Sequence, residues 1–229
     1  MNRNKLSVCL LLCMSALLGL LSGCQEDEYH YPSVKLEFLT VGADSQGKLS
    51  YLITDTGKEY PLTNSISNDY FKPDTLIRII GNYELTANDG NSESALLYSA
   101  SNAIAPVPIT ADKFADGVKT DPVDVQSIWL GWNYLNMVLE VKAQDKPHKF
   151  HFVEESYAVE GNRATVSLTL YHDDGDDVQA YTQRAYCSIP LQQYVTRGIE
   201  TVRLSIDIYT YAGKINTYQF DYTPAETDN

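Results

Sequence analysis

The sequence predicts an all-β protein, a small OB-like barrel followed by an antiparallel β-sandwich. Three observations predict it. Apolar residues recur with a period of two over much of the chain, and clusters of Gly, Asp, Asn and Pro punctuate the runs. Tyrosine, whose ring fills a pleated surface, occurs 17 times beside only 3 Met. At 229 residues and 44% hydrophobic, the chain suits one large or two small packed domains and is too apolar to be disordered. Its single long apolar run excludes a multi-span membrane protein, and its net charge of -13 argues against nucleic acid as the main partner.

The first element is a leader. Arg3 and Lys5 precede an apolar stretch from Leu6 to Leu21, a secretory pattern too short for a comfortable membrane span. It ends Leu21-Ser22-Gly23-Cys24, which looks like a bacterial lipobox. Cleavage before Cys24 would leave a diacylglycerol on its sulfur and an acyl chain such as palmitate on its amine. Each buried methylene of such chains contributes about 0.8 kcal/mol, so together they anchor the protein to a membrane. Removal of residues 1–23, with two basic groups and no acidic ones, leaves a formal charge of -15. Cys9 and Cys13 leave with the leader, so Cys187 is the remaining free thiol and no intrachain disulfide can form. Residues 24–31 then form an acidic tether through Gln25, Glu26, Asp27 and Glu28. The tract resembles the surface-export signal of lipoproteins from Gram-negative gut anaerobes, which is favoured over a solvated spacer alone.

Residues 32–112 are read as the barrel. Val34, Leu36 and Phe38 alternate with Lys35 and Glu37, as one buried sheet face requires, and Leu49, Tyr51 and Ile53 repeat the pattern. Leu76 to Ile80 is nearly all apolar and reads as a central strand. Tyr83 and Leu85 follow, Asn88 to Asn91 marks a tight turn, and Ala95 to Ser99 reads as another strand. Pro106, Pro108 and Pro122, with Asp116-Gly117 between them, describe a connector.

Residues 113–229 are read as the sandwich. Leu135 to Val141, Phe150 with Phe152, Val166 to Leu170, Tyr186 to Ile189, Val202 to Ile208 and Ile215 to Tyr222 are its strands. Leu191 to Tyr194 makes one helical turn between two of them.

Four sets of residues invite chemistry. His148 and His151 lie three apart on a strand, so they project to opposite faces and cannot chelate a metal together without a bulge; His172 could approach either. Asp173, Asp174, Asp176 and Asp177 offer oxygen ligands for calcium, but their spacing does not match an EF-hand, and a solvated turn on Gly175 is the favoured reading. Tyr209, Tyr211, Tyr218 and Tyr222, with Phe220, could make an aromatic platform for a sugar or peptide, or simply stabilise a sheet. Trp129 and Trp132 have opposite parity around Gly131, which places one of them in the core. No hydrolase elbow, zinc-protease helix or phosphate loop is present, so no catalytic residue, metal or cofactor is assigned.

The lipobox, the acidic tether and the tract Trp129-Leu130-Gly131-Trp132-Asn133-Tyr134-Leu135-Asn136 resemble the NigD-like lipoproteins. His148 to Phe152 and the strand Leu168 to His172 resemble them too. The resemblance implies an N-terminal OB domain and a C-terminal β-sandwich. The family takes its name from a bacteriocin gene cluster, one member of which was proposed as an immunity protein. The expectation is a non-enzymatic, lipid-anchored outer-membrane protein that faces the exterior and takes a protein or glycan partner. Bacteriocin immunity and glycan-binding accessory roles are the alternatives.

Overall fold

A computed structural model describes residues 35–67, 71–88, 92–196 and 198–224. Cys24, the acidic tract and most of the Asn88–Asn91 turn lie outside the described residues. The first five strands, β1 (Lys35–Ala43), β2 (Lys48–Thr54), β3 (Glu59–Ser67), β4 (Leu76–Ala87) and β5 (Glu93–Asn102), close into a barrel of order β1-β2-β3-β5-β4. Closure leaves no free sheet edge, and the interior fills with side chains from alternate positions. Leu39, Val41, Leu49, Leu52, Ile79, Tyr83, Ala95 and Leu97 form that core.

The inward face differs from the expected one in two strands. In β1 the odd residues Leu39 and Val41 point inward, Leu36 is 59% exposed, and Phe38 is buried from outside the barrel, against Trp129 and Tyr186. In β2 the register shifts between Leu49 and Tyr51, so Leu49 and Leu52 both reach the core and Tyr51 does not. A bulge adds one residue and reverses the parity of all that follow, which simple alternation does not reveal.

The chain continues as β6 (Ile109–Thr110), β7 (Asp124–Gly131), β8 (Tyr134–Ala143), β9 (Lys149–Glu160), β10 (Arg163–Asp173), β11 (Tyr181–Pro190), β12 (Thr201–Tyr209) and β13 (Ile215–Tyr222), with 3-10 turns at Ala111–Lys113 and Gln192–Tyr194. A five-stranded sheet of order β13-β12-β10-β9-β6 faces a three-stranded sheet of order β11-β8-β7. The all-β class with a barrel and a sandwich is thus as the sequence predicts. The sandwich is not purely antiparallel, however. β10 runs parallel to β12, and β6 parallel to β9. In each case the intervening strands cross to the opposite sheet before the chain returns.

The sandwich core contains Leu135, Met137, Leu139, Phe152, Val166, Leu168, Cys187, Ile189, Val202, Leu204 and Ile206. The opposite face of the three-stranded sheet is also covered, because Asn136 and Ser188 are fully buried against the barrel. The described residues accordingly form one compact unit. The connector fastens the two halves. Ala103 N–H donates to the Arg78 carbonyl of the barrel, while Ile104 N–H donates to Tyr186 and its carbonyl accepts from Ser188 N–H. No helix of the described residues is long and apolar enough to cross a membrane.

Leu204 has no solvent exposure in the centre of the sandwich. Leu204→Ala should therefore lower the unfolding free energy by about 3 kcal/mol, read as a drop in urea midpoint.

Candidate functional site

The junction between barrel and sandwich is organised by one buried cation. Arg78 lies on the outer face of β4 with its side chain only 2% exposed. It donates through Nη2 to Asp55 Oδ1, through Nη2 to Asn136 Oδ1 (2.8 Å), through Nη1 to Thr40 Oγ1 (3.1 Å) and through Nε to Ser188 Oγ (3.3 Å). Asn136 Nδ2 and Trp129 Nε1 both donate to Asp55 Oδ2, at 2.8 and 3.3 Å. The guanidinium also lies 4.2 Å from the Tyr134 ring and 5.5 Å from that of Phe38. A buried charge is tolerated only when it is paired and its donors are used, and here barrel and sandwich each supply part of the shell.

Asp55 sits in the turn between β2 and β3, and its carbonyl accepts from Trp132 N–H at 2.8 Å. That turn docks on the turn between β7 and β8, where the close approach requires a glycine. A Cβ on Gly131 would fall 2.5 Å from the Asp55 carboxylate and 2.7 Å from Asn136 Nδ2. Neither Trp is buried in the sandwich core: Trp129 is half-buried at the junction, and Trp132 holds a positive φ of 44° in the turn.

Beside this network opens a cleft of about 480 Å3, lined from the barrel by Glu37, Asp55, Tyr60 and Tyr83 and from the sandwich by Trp129 and Tyr186. Its size lies within the roughly 300–1,000 Å3 of small-ligand sites. Tyr83 O–H donates to Glu37 Oε2 at 2.9 Å, and burial together with that carboxylate pushes the phenol up. The mouth is charged, through Lys35 and Glu37, and the depth is aromatic.

Of the two histidines it could approach, His172 meets His148. His148 Nδ1 and His172 Nε2 lie 2.9 Å apart, and His172 Nδ1 lies 2.9 Å from the Asp121 carbonyl. A carbonyl only accepts, so His172 carries its proton on Nδ1 and His148 donates to it. His148 Nε2 is buried without a hydrogen-bond partner, 3.5 Å from Asp177 Oδ2. Burial lowers the His172 pKa, with the neighbouring His148 acting in the same direction. His151 stands apart, against the Phe114 ring. Among the described residues no three His, Cys, Asp or Glu side chains converge on a metal position.

The Asp173–Asp177 loop is only in part a solvated turn. Gly175 has the expected positive φ of 63°, yet Asp173 and Asp177 are buried. Asp173 accepts from Lys119 Nζ at 2.9 Å. Asp177 is held down to about 2 by the backbone N–H of Gln144, then those of Asp145 and Val178. These carboxylates tie neighbouring loops together.

The tyrosines proposed as a platform do not share a face. Tyr222 is in the sandwich core with its O–H donating to Asn133, and Tyr218 packs against the same core. Tyr209 is 39% exposed on the other face, and Tyr211 accepts from Lys142 N–H at 2.7 Å. In β13 Tyr218, Phe220 and Tyr222 pair with Ile206, Leu204 and Val202, so the register turns all three toward the interior. Cys187 is fully buried, and burial pushes its thiol up.

Arg78, Asp55 and the Glu37–Tyr83 pair belong to no motif of the sequence. A signal for Arg78 existed: it is the one charge within the otherwise apolar run Leu76 to Ile80. A cation in a strand buried on both faces requires a paired acceptor. Asp55 carried no such signal, because Thr54 to Lys58 reads as an ordinary polar turn.

Fold and junction define a class, two-part barrel–sandwich proteins with a cleft between the parts. Residues 105–222 match the NigD-like C-terminal beta sandwich domain. A NigD-like immunity protein from Bacteroides caccae ATCC 43185 is 38% identical, with a TM-score of 0.70 over 86% of this chain and 100% of that one. This chain belongs to the NigD-like family. The fold recurs in a candidate toxin-related protein from Parabacteroides distasonis ATCC 8503, at 20% identity and a TM-score of 0.64 over 83% of this chain and 94% of that one. It recurs again in a candidate lipoprotein from Bacteroides fragilis NCTC 9343, at 14% identity and a TM-score of 0.60 over 85% and 100%. No curated protein matches the chain.

Two outcomes test the junction. Arg78→Met removes the cation and leaves the Asp55 carboxylate without its counter-charge, which should cost about 3 kcal/mol in a urea titration. The loss should be strongly non-additive with Asp55→Asn in a double-mutant cycle. For pH, His172 has a folded pKa below its ordinary 6.5. The unfolded chain then takes up a proton that the folded one refuses, so this contribution is complete above about 6.5 and is lost progressively as pH falls from there through the lower folded pKa. Urea midpoints should decline from pH 7.5 to 5.5, and His172→Gln should flatten that decline.

Proposed function

We propose that this chain is a lipid-anchored, non-catalytic binding protein of the outer membrane, facing the cell exterior, and that the junction cleft receives its partner. The cleft carries this reading. Its walls come from both halves of the molecule, and the Arg78 network fixes them, so the site is built before a partner arrives. The lipobox at Cys24 supports anchoring, and the acidic tract behind it supports export to the surface. Binding rather than catalysis is supported by the state of the reactive groups. The Cys187 thiol is buried with its ionisation suppressed, and neither His148 nor His172 lines the cleft.

A second reading, a bacteriocin immunity protein, is favoured by the relative at 38% identity that bears that name. On this reading the captured partner is a toxin or the receptor the toxin uses. A glycan partner would have to use the same cleft, because the strand tyrosines form no strip.

The anchoring half of the proposal is tested by labelling cells with a palmitate analogue. Wild type should carry the label and pellet with membranes, whereas Cys24→Ser should lose it and move to the soluble fraction. Protease added to intact cells should degrade the wild-type protein; protection would place it on the periplasmic side. Immunity is tested separately, since deletion should sensitise the strain to the cognate toxin.

A further inference from the structure

We infer that the cleft recognises a cationic side chain of a peptide, an arginine or lysine that lies over the Tyr83 ring and places its charge against Glu37. This rests on reading the cleft as the binding surface and adds the class of ligand. Four cation–π contacts occur among the described residues: two at the Arg78 junction, and two that set barrel lysines over Tyr60 and Tyr83, which line the cleft. Two involve Arg78 and are structural, because that guanidinium is buried and bonded on all sides. A third sets Lys58 Nζ 4.7 Å above Tyr60, where Glu93 already pairs with it at 2.7 Å.

The fourth contact is different. Lys35 Nζ lies 6.0 Å from the centre of the Tyr83 ring, at the outer limit of such an interaction, and has no ion pair among the described residues. Glu37, two residues along the same strand, has no ion pair among them either, although Tyr83 O–H fixes its carboxylate. The Tyr83 face and the Glu37 carboxylate therefore form a seat for a cation, and Lys35 fills it loosely, over the ring but away from the carboxylate. A better placed cation would satisfy both groups and displace Lys35 into water, where an exposed ammonium loses little.

The shape of the cleft agrees. Phe38, Tyr60 and Tyr83 are each less than a tenth exposed, so a flat sugar ring finds no open aromatic face, whereas a slender aliphatic stem with a charged head needs only the path that the Lys35 side chain now takes to the Tyr83 ring. Leu36, Val138 and Tyr186 offer apolar surface for flanking residues of a peptide, and the net charge of -13 steers a cationic partner toward the molecule.

The test is calorimetric titration of the full-length protein in detergent with three probes: a capped hexapeptide alternating leucine and arginine, the same peptide with citrulline for arginine, and maltohexaose. The arginine peptide should bind and should weaken with salt, with the citrulline peptide at least about tenfold weaker. Glu37→Gln should erase that preference without changing the thermal midpoint. Lys35→Met should tighten the arginine peptide severalfold, while Lys214→Met, an equal change of charge in a distant turn, should leave it unchanged. If citrulline peptide or maltohexaose binds as tightly as the arginine peptide and competes with it, the cation class is wrong and the binding cleft stands. If no probe binds wild type or Lys35→Met, both the cation seat and the cleft reading fall.

Discussion

The structure depends on keeping one guanidinium satisfied away from water. Arg78 reaches acceptors on β1, on the turn between β2 and β3, on β8 and on β11, and losing any of them leaves a buried charge short of a partner. Because those acceptors belong to different halves of the molecule, satisfying the charge also fixes the relation between barrel and sandwich. A hydrophobic interface of similar area would hold the halves together but would specify their orientation less sharply, since apolar contact is non-directional. Hydrogen bonds with defined partners supply the direction.

That constraint propagates outward. Asp55 must reach both Arg78 and Asn136, so its turn must sit against the turn that carries Gly131, which has no side chain to hold it off. The connector adds two further fastenings, one to each half, at consecutive residues. The cleft is the space left where the network ends, and its position follows from the same contacts. Its polar groups are supported in turn, with Glu37 held by Tyr83 and Tyr83 held by the barrel core. A binding site gains from such support, because less freedom remains to be lost when a partner arrives.

A second cluster works by the same rule away from the cleft. The His148–His172 pair and the buried Asp177 join the loops after β8 and β10, and Asp173 joins the end of β10 to Lys119 in the segment before β7, with bonds that no short-range sequence pattern records. Four aspartates in five residues look like a solvated tip when read locally. Two of them are instead internal acceptors for lysine and backbone donors from elsewhere in the chain.

What the sequence determined alone is the class of the fold and most of the strands, because period-two burial and turn chemistry are local properties carried by neighbouring residues. In the sandwich core, Leu135, Met137, Leu139 and Val141 on one strand and Val202, Leu204, Ile206 and Ile208 on another follow that pattern without interruption. Tertiary structure decided the rest. It chose the inward face of β1 and β2, through a bulge and through a second surface that buries Phe38; it set β10 beside β12, through a crossover; and it turned Tyr218 and Tyr222 into core residues. It also assembled the cleft, whose lining residues lie up to about 150 positions apart, from Lys35 to Tyr186. Periodicity reports which residues are buried, but the surface that buries them, and the charge that has to be met there, exist only once distant parts of the chain have come together.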